Sequence, residues 1–319
     1  MARTGTPTDE FRVLSLCGGG YLGLYTAQVL ADLEAQVGEP LGRRFDLIAG
    51  TSVGGLLAMA LAFEVPTSRI VELFRDHGDE VFSARGLPTG AVTRLIDLTR
   101  SVLGPKYSGQ ALRAALEQNF GERTLADARH AIVVPAVDVS NSMTKVFKTP
   151  HAKTSRGDEA LRAVDVVLAT CAAPAYFPAV PIGDRLYADG GLFAVAPDQV
   201  ALHEVEHFMG VDVARVRMLS VGTATKSYRP ADDVEADSGA VGWLTDGRLI
   251  LTLISVQQQH VQAMMEDRLG SRYLRLDADW PAQAGLGIDV ATRTAADTLC
   301  TLGRQTLARA DARRLLDFL

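Results

Sequence analysis

The chain has 319 residues, 47% of them apolar, enough to bury the core of one large domain or two modest ones. A formal net charge of −6 and a pI near 5.6 argue against general DNA or RNA binding, which needs a basic surface, and leave room only for a local basic pocket. Cys17, Cys171 and Cys300 share no CxxC spacing, so neither a disulfide framework nor a zinc knuckle is expected, and reduced thiols in the cytoplasm are the plain reading.

The opening MARTGTPTDEF lacks the apolar stretch of a signal peptide, which argues against export; residues 1–10 read as a tail and 11–319 as a single domain. Phe11 to Leu16 reads as a strand, followed by the Gly-rich turn Cys17-Gly18-Gly19-Gly20-Tyr21-Leu22-Gly23 and a helix that ends at Gly38. Such a turn presents backbone N–H groups to an anion. Gly18, Gly20 and Gly23 also fit the dinucleotide fingerprint, but where a ribose-binding carboxylate belongs the chain has Gly50-Thr51-Ser52.

Phe45 to Ala62, FDLIAGTSVGGLLAMALA, reads as strand, sharp turn and helix. Gly50-Thr51-Ser52-Val53-Gly54 is a GxSxG sequence in the context that the motif requires, with the serine held out over the sheet edge and Gly50 and Gly54 relieving the turn. Ser52 is therefore the candidate nucleophile. Thr67 to His77 is helical; from Gly78 to Gly109 the pattern blurs around a helix at Val92 to Val102, giving either a lid or regulatory element or a surface excursion. Ser108 is placed to cap a helix to Asn119.

Ala131 to Val139 and Lys145 to Lys148 read as strands around a turn at Asn141. Apolar Val164 to Thr170 leads into Ala172-Ala173-Pro174-Ala175-Tyr176-Phe177-Pro178, and the strand Leu186-Tyr187-Ala188 runs into Asp189-Gly190-Gly191. A helix over Pro197 to Met209, a strand at Val216 to Val221, a polar loop over Gly222 to Gly242, a helix over Leu249 to Leu269, a strand at Tyr273 to Leu276 and one or two helices from Ala291 to Phe318 complete the chain. This alternation predicts an α/β fold with a largely parallel central sheet. The longest uncharged run, Val166 to Gly183, contains Pro174, Pro178 and Pro181 and is core and loop rather than a membrane span.

Ser52 needs a general base. None of the six histidines lies in a Gly-flanked loop after a strand, whereas Asp189 ends a short strand on a glycine-permitted turn. Taken together, the GGGxxG loop at Gly18 to Gly23, GxSxG at Gly50 to Gly54, Ala172 to Pro178 and Asp189 to Gly191, in that order, resemble the patatin-like phospholipases. Lys106-Tyr107-Ser108 and Leu219-Ser220-Val221-Gly222-Thr223 resemble further features of that family. The resemblance implies a three-layer patatin-like fold and a Ser-Asp dyad. Ser52 would be the nucleophile, Asp189 the general base, and Gly18, Gly19 and Gly20 the oxyanion loop, supported by Gly23, Gly190 and Gly191.

The chain departs from many relatives at Cys17, where they have Asp, at Leu22, where they have Arg or Lys, and at Val195-Ala196-Pro197, where they carry asparagines. The Cys-Gly-Gly-Gly-Tyr-Leu-Gly-Leu-Tyr start resembles the bacterial antiphage effectors switched on by a cyclic dinucleotide such as cGAMP. That likeness implies degradation of the cell's own phospholipids at the inner face of the membrane, with no catalytic cofactor. Arg75, Arg85, Arg94 and the Lys226-Ser227-Tyr228-Arg229 loop are candidates to hold such an activator, with a solvated surface as the alternative for each. Other readings are an unregulated lysophospholipase or lipase, a catalytically silent binding protein, and a zinc metallohydrolase, because His203-Glu204-Val205-Glu206-His207 matches HExxH on a predicted helix. Against zinc, Val213 stands where a longer metzincin pattern wants its third histidine, and Leu202, Val205, Phe208 and Met209 make the helix an ordinary half-buried one. No EF-hand-type calcium loop is present, and nothing in the chain sets its oligomeric state.

Overall fold

The computed structural model of the chain describes residues 10–82, 104–152, 157–229, 243, 248–281 and 285–319. Phe11–Leu16 (β1) leads through the glycine turn into Gly23–Val37 (α1). Leu47–Gly50 (β2) is buried along its whole length, and Val53–Ala62 (α2) departs from its end. Thr67–Val81 (α3) and Gln110–Phe120 (α4) follow. Ile132–Asp138 (β3) and Met143–Lys148 (β4) form a hairpin whose turn closes on Asp138, the carboxylate accepting from both the backbone and side-chain amides of Asn141. Next come Ala163–Thr170 (α5), Val180–Ile182 (β5), Arg185–Asp189 (β6), Gly191–Ala194 (α6) and Asp198–His203 (α7). Val216–Val221 (β7), Arg248–Leu269 (α8), Tyr273–Leu276 (β8), Arg293–Arg309 (α9) and Ala312–Leu316 (α10) complete the elements used below.

The sheet runs β5-β6-β3-β2-β1-β7-β8, with β4 also on β3. The strands from β3 to β8 in that order are parallel, and β4, β6 and β5 join antiparallel at one side. Along β1 the side chains alternate between two cores: Leu14 and Leu16 meet α1, α2 and α9, while Val13 meets Ala201 and Leu202 of α7 and Met265 and Leu269 of α8. Helices therefore cover both faces, giving the three layers expected, and central strands buried on both sides read as continuous apolar runs.

Two expectations shift, and one strand was not foreseen. The helix over Pro197 to Met209 stops at His203, and residues Glu204–Phe208 widen into a π turn. Ser108 does not cap α4 in the usual position: Gly109, at φ 75, is the cap residue, and the Ser108 hydroxyl accepts the Gln110 N–H at 3.3 Å. β5 is hidden in sequence by Pro181, a residue that a sheet accepts at its edge, which is where β5 lies.

One feature of the sheet places the site. β3 pairs with β2 at Ile132 and Val133, then with β6 at Ala136 to Asp138. The two neighbours part around Pro135, which has no N–H to leave unpaired. Thr170 at the end of α5 donates its hydroxyl to Pro135 O at 2.6 Å, and Gly190 packs so closely there that a Cβ would come within 2.3 Å of the same oxygen. The residues following β2 and those ending β6 are thus brought to one fork.

The start of α2 is equally tight, since a Cβ on Gly54 would sit 2.1 Å from Leu16 O. Gly54→Ala is expected to lower stability by ~2 kcal/mol or more, because rigid backbone must move. A denaturant midpoint equal to that of the unmodified chain would contradict this packing.

Candidate active site

Ser52 is the residue between β2 and α2, and it adopts φ 56, ψ −126. A non-glycine residue in that region carries ~1–3 kcal/mol of strain, so its surroundings must hold it. They do: Ser52 N–H donates to Thr170 Oγ1 at 2.9 Å, the Thr51 hydroxyl donates to Ala194 O at 2.7 Å, and Gly54 N–H donates to Thr51 O at 2.8 Å. The Ser52 hydroxyl then donates to Asp189 Oδ2 at 2.7 Å.

Asp189 ends β6 and is buried. Its other oxygen, Oδ1, accepts the Gly191 N–H at 2.7 Å. Burial pushes the Asp189 carboxyl up to about 6, against the pull of Gly191 N–H and the Ser52 hydroxyl. A carboxylate near neutrality both takes and returns a proton at physiological pH. Beside the pair lies the buried Cys171, whose thiol is raised well above its ordinary range by desolvation and then by the charge of Asp189, so it stays neutral.

The glycine loop divides its labour. Gly18 N–H is taken by Val195 O at 2.9 Å, so Gly18 anchors the loop rather than donating into the site, a correction to the three-glycine oxyanion set. Gly19 and Gly20 N–H have no partner among the described residues, and both residues line the same cleft as Ser52. Neither tolerates a side chain: a Cβ would lie 2.8 Å from Thr223 Oγ1 at Gly19 and 2.2 Å from Ile288 O at Gly20, where φ is +59. Val53 N–H, the first donor of α2, is likewise unpartnered among the described residues, and Val53 lines the cleft; its position directly after a GxSxG serine is the sequence signal for it. Leu22 is fully buried, so no side chain at that position assists these backbone donors. Gly23 and Gly50 are tight-packing positions, with a Cβ meeting Val53 at 2.3 Å and Gly54 O at 2.1 Å respectively.

The cleft above Ser52 has a volume of about 400 Å³ and walls of apolar side chains, among them Leu56, Phe74, Leu112, Leu116 and Ile254. Such a lining accommodates an acyl chain and keeps water from a developing charge. Gln257 of α8 supports the Asp189 turn from outside, accepting Val195 N–H at 3.1 Å and donating to Gly191 O at 3.2 Å. Nothing in its sequence context, the Gln257-Gln258-Gln259 run, separates it from a solvated helix face. The lone Arg in apolar β8, Arg275, did carry a signal, since a buried strand takes up a charge only when it is paired. Its guanidinium donates to Cys17 Sγ at 3.0 Å, Ser220 Oγ at 2.8 Å, and Gln258 Oε1 and Asp277 Oδ2, both at 2.7 Å.

No histidine is hydrogen-bonded to Ser52 or Asp189 among the described residues: His77 lines the cleft but its Nδ1 is with Glu80, His130 is with Glu64, and His151 lies between Thr149 and Glu204. HExxH is structural. Its Glu204 is buried and paired with Lys148 and His151, and the π turn stacks the His203 and His207 rings at 5.1 Å. Glu204 is therefore no free base for a bound water, and among the described residues no three metal-ligating side chains converge. Arg75 is engaged by Asp297 and Cys300, and Tyr228 packs edge-on against Trp280 at 5.1 Å. Arg85, Arg94 and most of the proposed lid lie outside the described residues. Among the described residues no helix is long and apolar enough to cross a membrane.

A serine on a strained strand-to-helix turn, hydrogen-bonded to a buried carboxylate at the foot of an apolar cleft, defines a hydrolase of lipid esters. Residues 14–202 match the family described as patatin-like phospholipase, and the chain belongs to that family of lipid-hydrolysing enzymes. It is 40% identical over 275 residues to a cGAMP-activated phospholipase of Pseudomonas aeruginosa, covering 86% of this chain and 79% of that one. Proteins of the same description from Vibrio cholerae and Escherichia coli are 33% and 32% identical, covering 93% and 92% of this chain and 90% and 88% of theirs.

The raised Asp189 carboxyl has a consequence for stability. Below pH 3.8 it is protonated whether folded or unfolded; above about 6 it is charged in both states, and its burial then costs ~3 kcal/mol. Asp189→Asn, which keeps an oxygen to accept Gly191 N–H, is expected to raise stability at pH 8 by ~1–3 kcal/mol. The gain should shrink as pH falls from 6 towards 4 in paired denaturation curves; a destabilised variant at pH 8 would refute the strained-carboxylate account.

Proposed function

We propose that this enzyme cleaves phospholipid ester bonds through an acyl-Ser52 intermediate, is switched on by a cyclic dinucleotide of the cGAMP type, and degrades the inner face of the cell's own membrane in antiphage defence. The observation that carries the chemistry is the 2.7 Å hydrogen bond from Ser52 Oγ to Asp189 at the foot of the apolar cleft. The activator is supported by the similarity to cGAMP-activated phospholipases over most of the chain. Residues 11–319 are taken as one working unit, since β7 and β8 extend the same sheet beyond the family match.

In this reading Asp189 takes the Ser52 proton as Oγ bonds to the ester carbonyl carbon. The oxyanion is met by Gly19, Gly20 and Val53 N–H groups, fixed before reaction and therefore needing no reorganisation. Collapse breaks the carbonyl carbon's bond to the alcohol oxygen, and the proton on Asp189 passes to that oxygen, releasing the lysophospholipid. Water then attacks the acyl carbon while Asp189 accepts its proton, and return of that proton to Ser52 Oγ frees the fatty acid. Exposed Leu192 and Leu253 at the cleft lining suit work at a lipid surface.

Fatty-acid release from phosphatidylglycerol–phosphatidylethanolamine vesicles, with and without cGAMP, tests the whole reading. Ser52→Ala and Asp189→Asn are each expected to lose ~10³-fold or more of the turnover. cGAMP is expected to raise the rate of the unmodified chain on the order of tenfold or more. Equal, high turnover without the nucleotide would favour an unregulated lysophospholipase or lipase; failure of a fluorophosphonate to label Ser52 with cGAMP present would favour a silent binding protein.

A second expectation follows from the same carboxyl. The base works ionised, so kcat/KM should fall as pH drops through about 6, tenfold per unit below it. An acid limb near 4 would mean that Asp189 is not the group titrating.

A further inference from the structure

The short helix α6 is opened by a side chain. In a regular helix the Val195 N–H would bond to Gly191 O four residues earlier, but here the Gln257 amide is spliced between them, accepting from Val195 N and donating to Gly191 O. Both residues face the site with their remaining groups. Gly191 N–H holds Asp189 Oδ1 at 2.7 Å, and Val195 O holds Gly18 N–H at 2.9 Å. An unbroken relay of contacts therefore runs from Ser52 Oγ through Asp189, Gly191, Gln257 and Val195 to the glycine loop.

We propose that Gln257 is a positioning residue for ester hydrolysis, its one amide fixing the Asp189 turn and the Gly18–Gly20 loop relative to each other. The inference rests on the roles assigned to Ser52 and Asp189 above. It acts through geometry: Gln257 touches neither the substrate cleft nor the reacting atoms, and its neighbours in the relay are backbone groups. Because the amide presents one donor and one acceptor to fixed partners, only a side chain of that length and polarity serves both. Its neighbour Gln258 braces the other side of the loop, donating to Thr223 Oγ1 at 3.4 Å while Thr223 donates to Gly18 O at 3.4 Å.

A displacement of the base or the oxyanion donors by ~1 Å costs on the order of 10²-fold in rate while leaving ground-state binding in an apolar cleft nearly untouched. The test uses the full chain with cGAMP present and p-nitrophenyl butyrate as a soluble ester. Gln257→Leu removes both hydrogen bonds at similar volume; Gln257→Glu keeps the acceptor and replaces the donor to Gly191 O with a repelling oxygen. Each is expected to lower kcat by ~10- to 100-fold with KM within about twofold. The second-order rate of fluorophosphonate labelling at Ser52 should fall in parallel, and thermal midpoints should stay close to that of the unmodified chain. Should Gln257→Leu fold poorly, Gln257→Glu, which matches the native shape, decides the matter. Folded variants whose kcat and labelling rate stay within twofold would overturn the positioning role, as would a kcat loss that tracks the fraction unfolded. Ser52→Ala and Asp189→Asn run beside them separate the two levels: if those retain turnover, the underlying assignment fails instead.

Discussion

The Asp189 carboxylate is 5% exposed, and among the described residues two hydrogen bonds, from Ser52 Oγ and Gly191 N–H, offset its loss of solvation. Both donors must therefore be held, not merely nearby. That requirement explains why the sheet forks at Pro135: β2 delivers the serine turn and β6 delivers the carboxylate to adjacent points on β3, with backbone rather than flexible side chains setting the spacing. It also explains why Thr170 donates to Pro135 O and accepts from Ser52 N–H, since one hydroxyl ties the fork to the strained turn. The strain at Ser52 and the desolvation at Asp189 are two local instabilities that the surrounding cores offset, in a protein where each is worth a sizeable part of the net stability.

Much of this was legible in the sequence because it depends on local rules. GxSxG needs a strand before it and a helix after it, and Leu47–Gly50 and Val53–Ala62 supply both. Phe11–Leu16 and Val216–Val221 announce themselves as largely apolar runs because a central parallel strand is buried on both faces, and Tyr273–Leu276, the last strand of the sheet, is short but mostly apolar. Asp189 followed from the lack of any suitably placed histidine and from the glycines after it. What the sequence did not disclose depends on contacts between distant residues. The engagement of Gly18 N–H requires knowing that Val195 O lies beside it, and the π turn at Glu204 requires knowing that Lys148 and His151 draw the carboxylate inward. HExxH spacing on a helix is the same whether its glutamate faces a metal or a lysine.

The departures at Cys17 and Leu22 have separate explanations. Leu22 is core, packed with α1 and α2, so that position contributes volume rather than charge. Cys17 meets the buried guanidinium of Arg275, and its thiol is pushed up to about 12 by burial even though Arg275 pulls it down. The thiol is thus neutral, and Asp277 balances the arginine. With Asp198 also buried nearby, accepting from Ser15 Oγ and Tyr273 OH, a carboxylate at position 17 would add a further negative charge to a region whose single guanidinium is already matched.

The glycine loop, the serine turn and the carboxylate turn are separated by more than thirty residues at each step, so no local hydrogen-bonding pattern can brace one against another. α8 braces two of them from the far side, the carboxylate turn directly and the glycine loop through Thr223. Its first turns carry Ile250 and Ile254 into the cleft lining, Gln257 is spliced into the carboxylate turn, and Gln258 bonds to Thr223 beneath the glycine loop while accepting from Arg275. Substrate-facing and turn-bracing residues thus share one rigid rod of 22 residues. A shift of this rod along its axis would change the cleft lining and the Asp189 turn directly and the glycine loop through Thr223. Residues 191–195 bond to Asp189, Thr51 and Gly18, and α8, spliced into them by Gln257, holds that junction against the cleft wall.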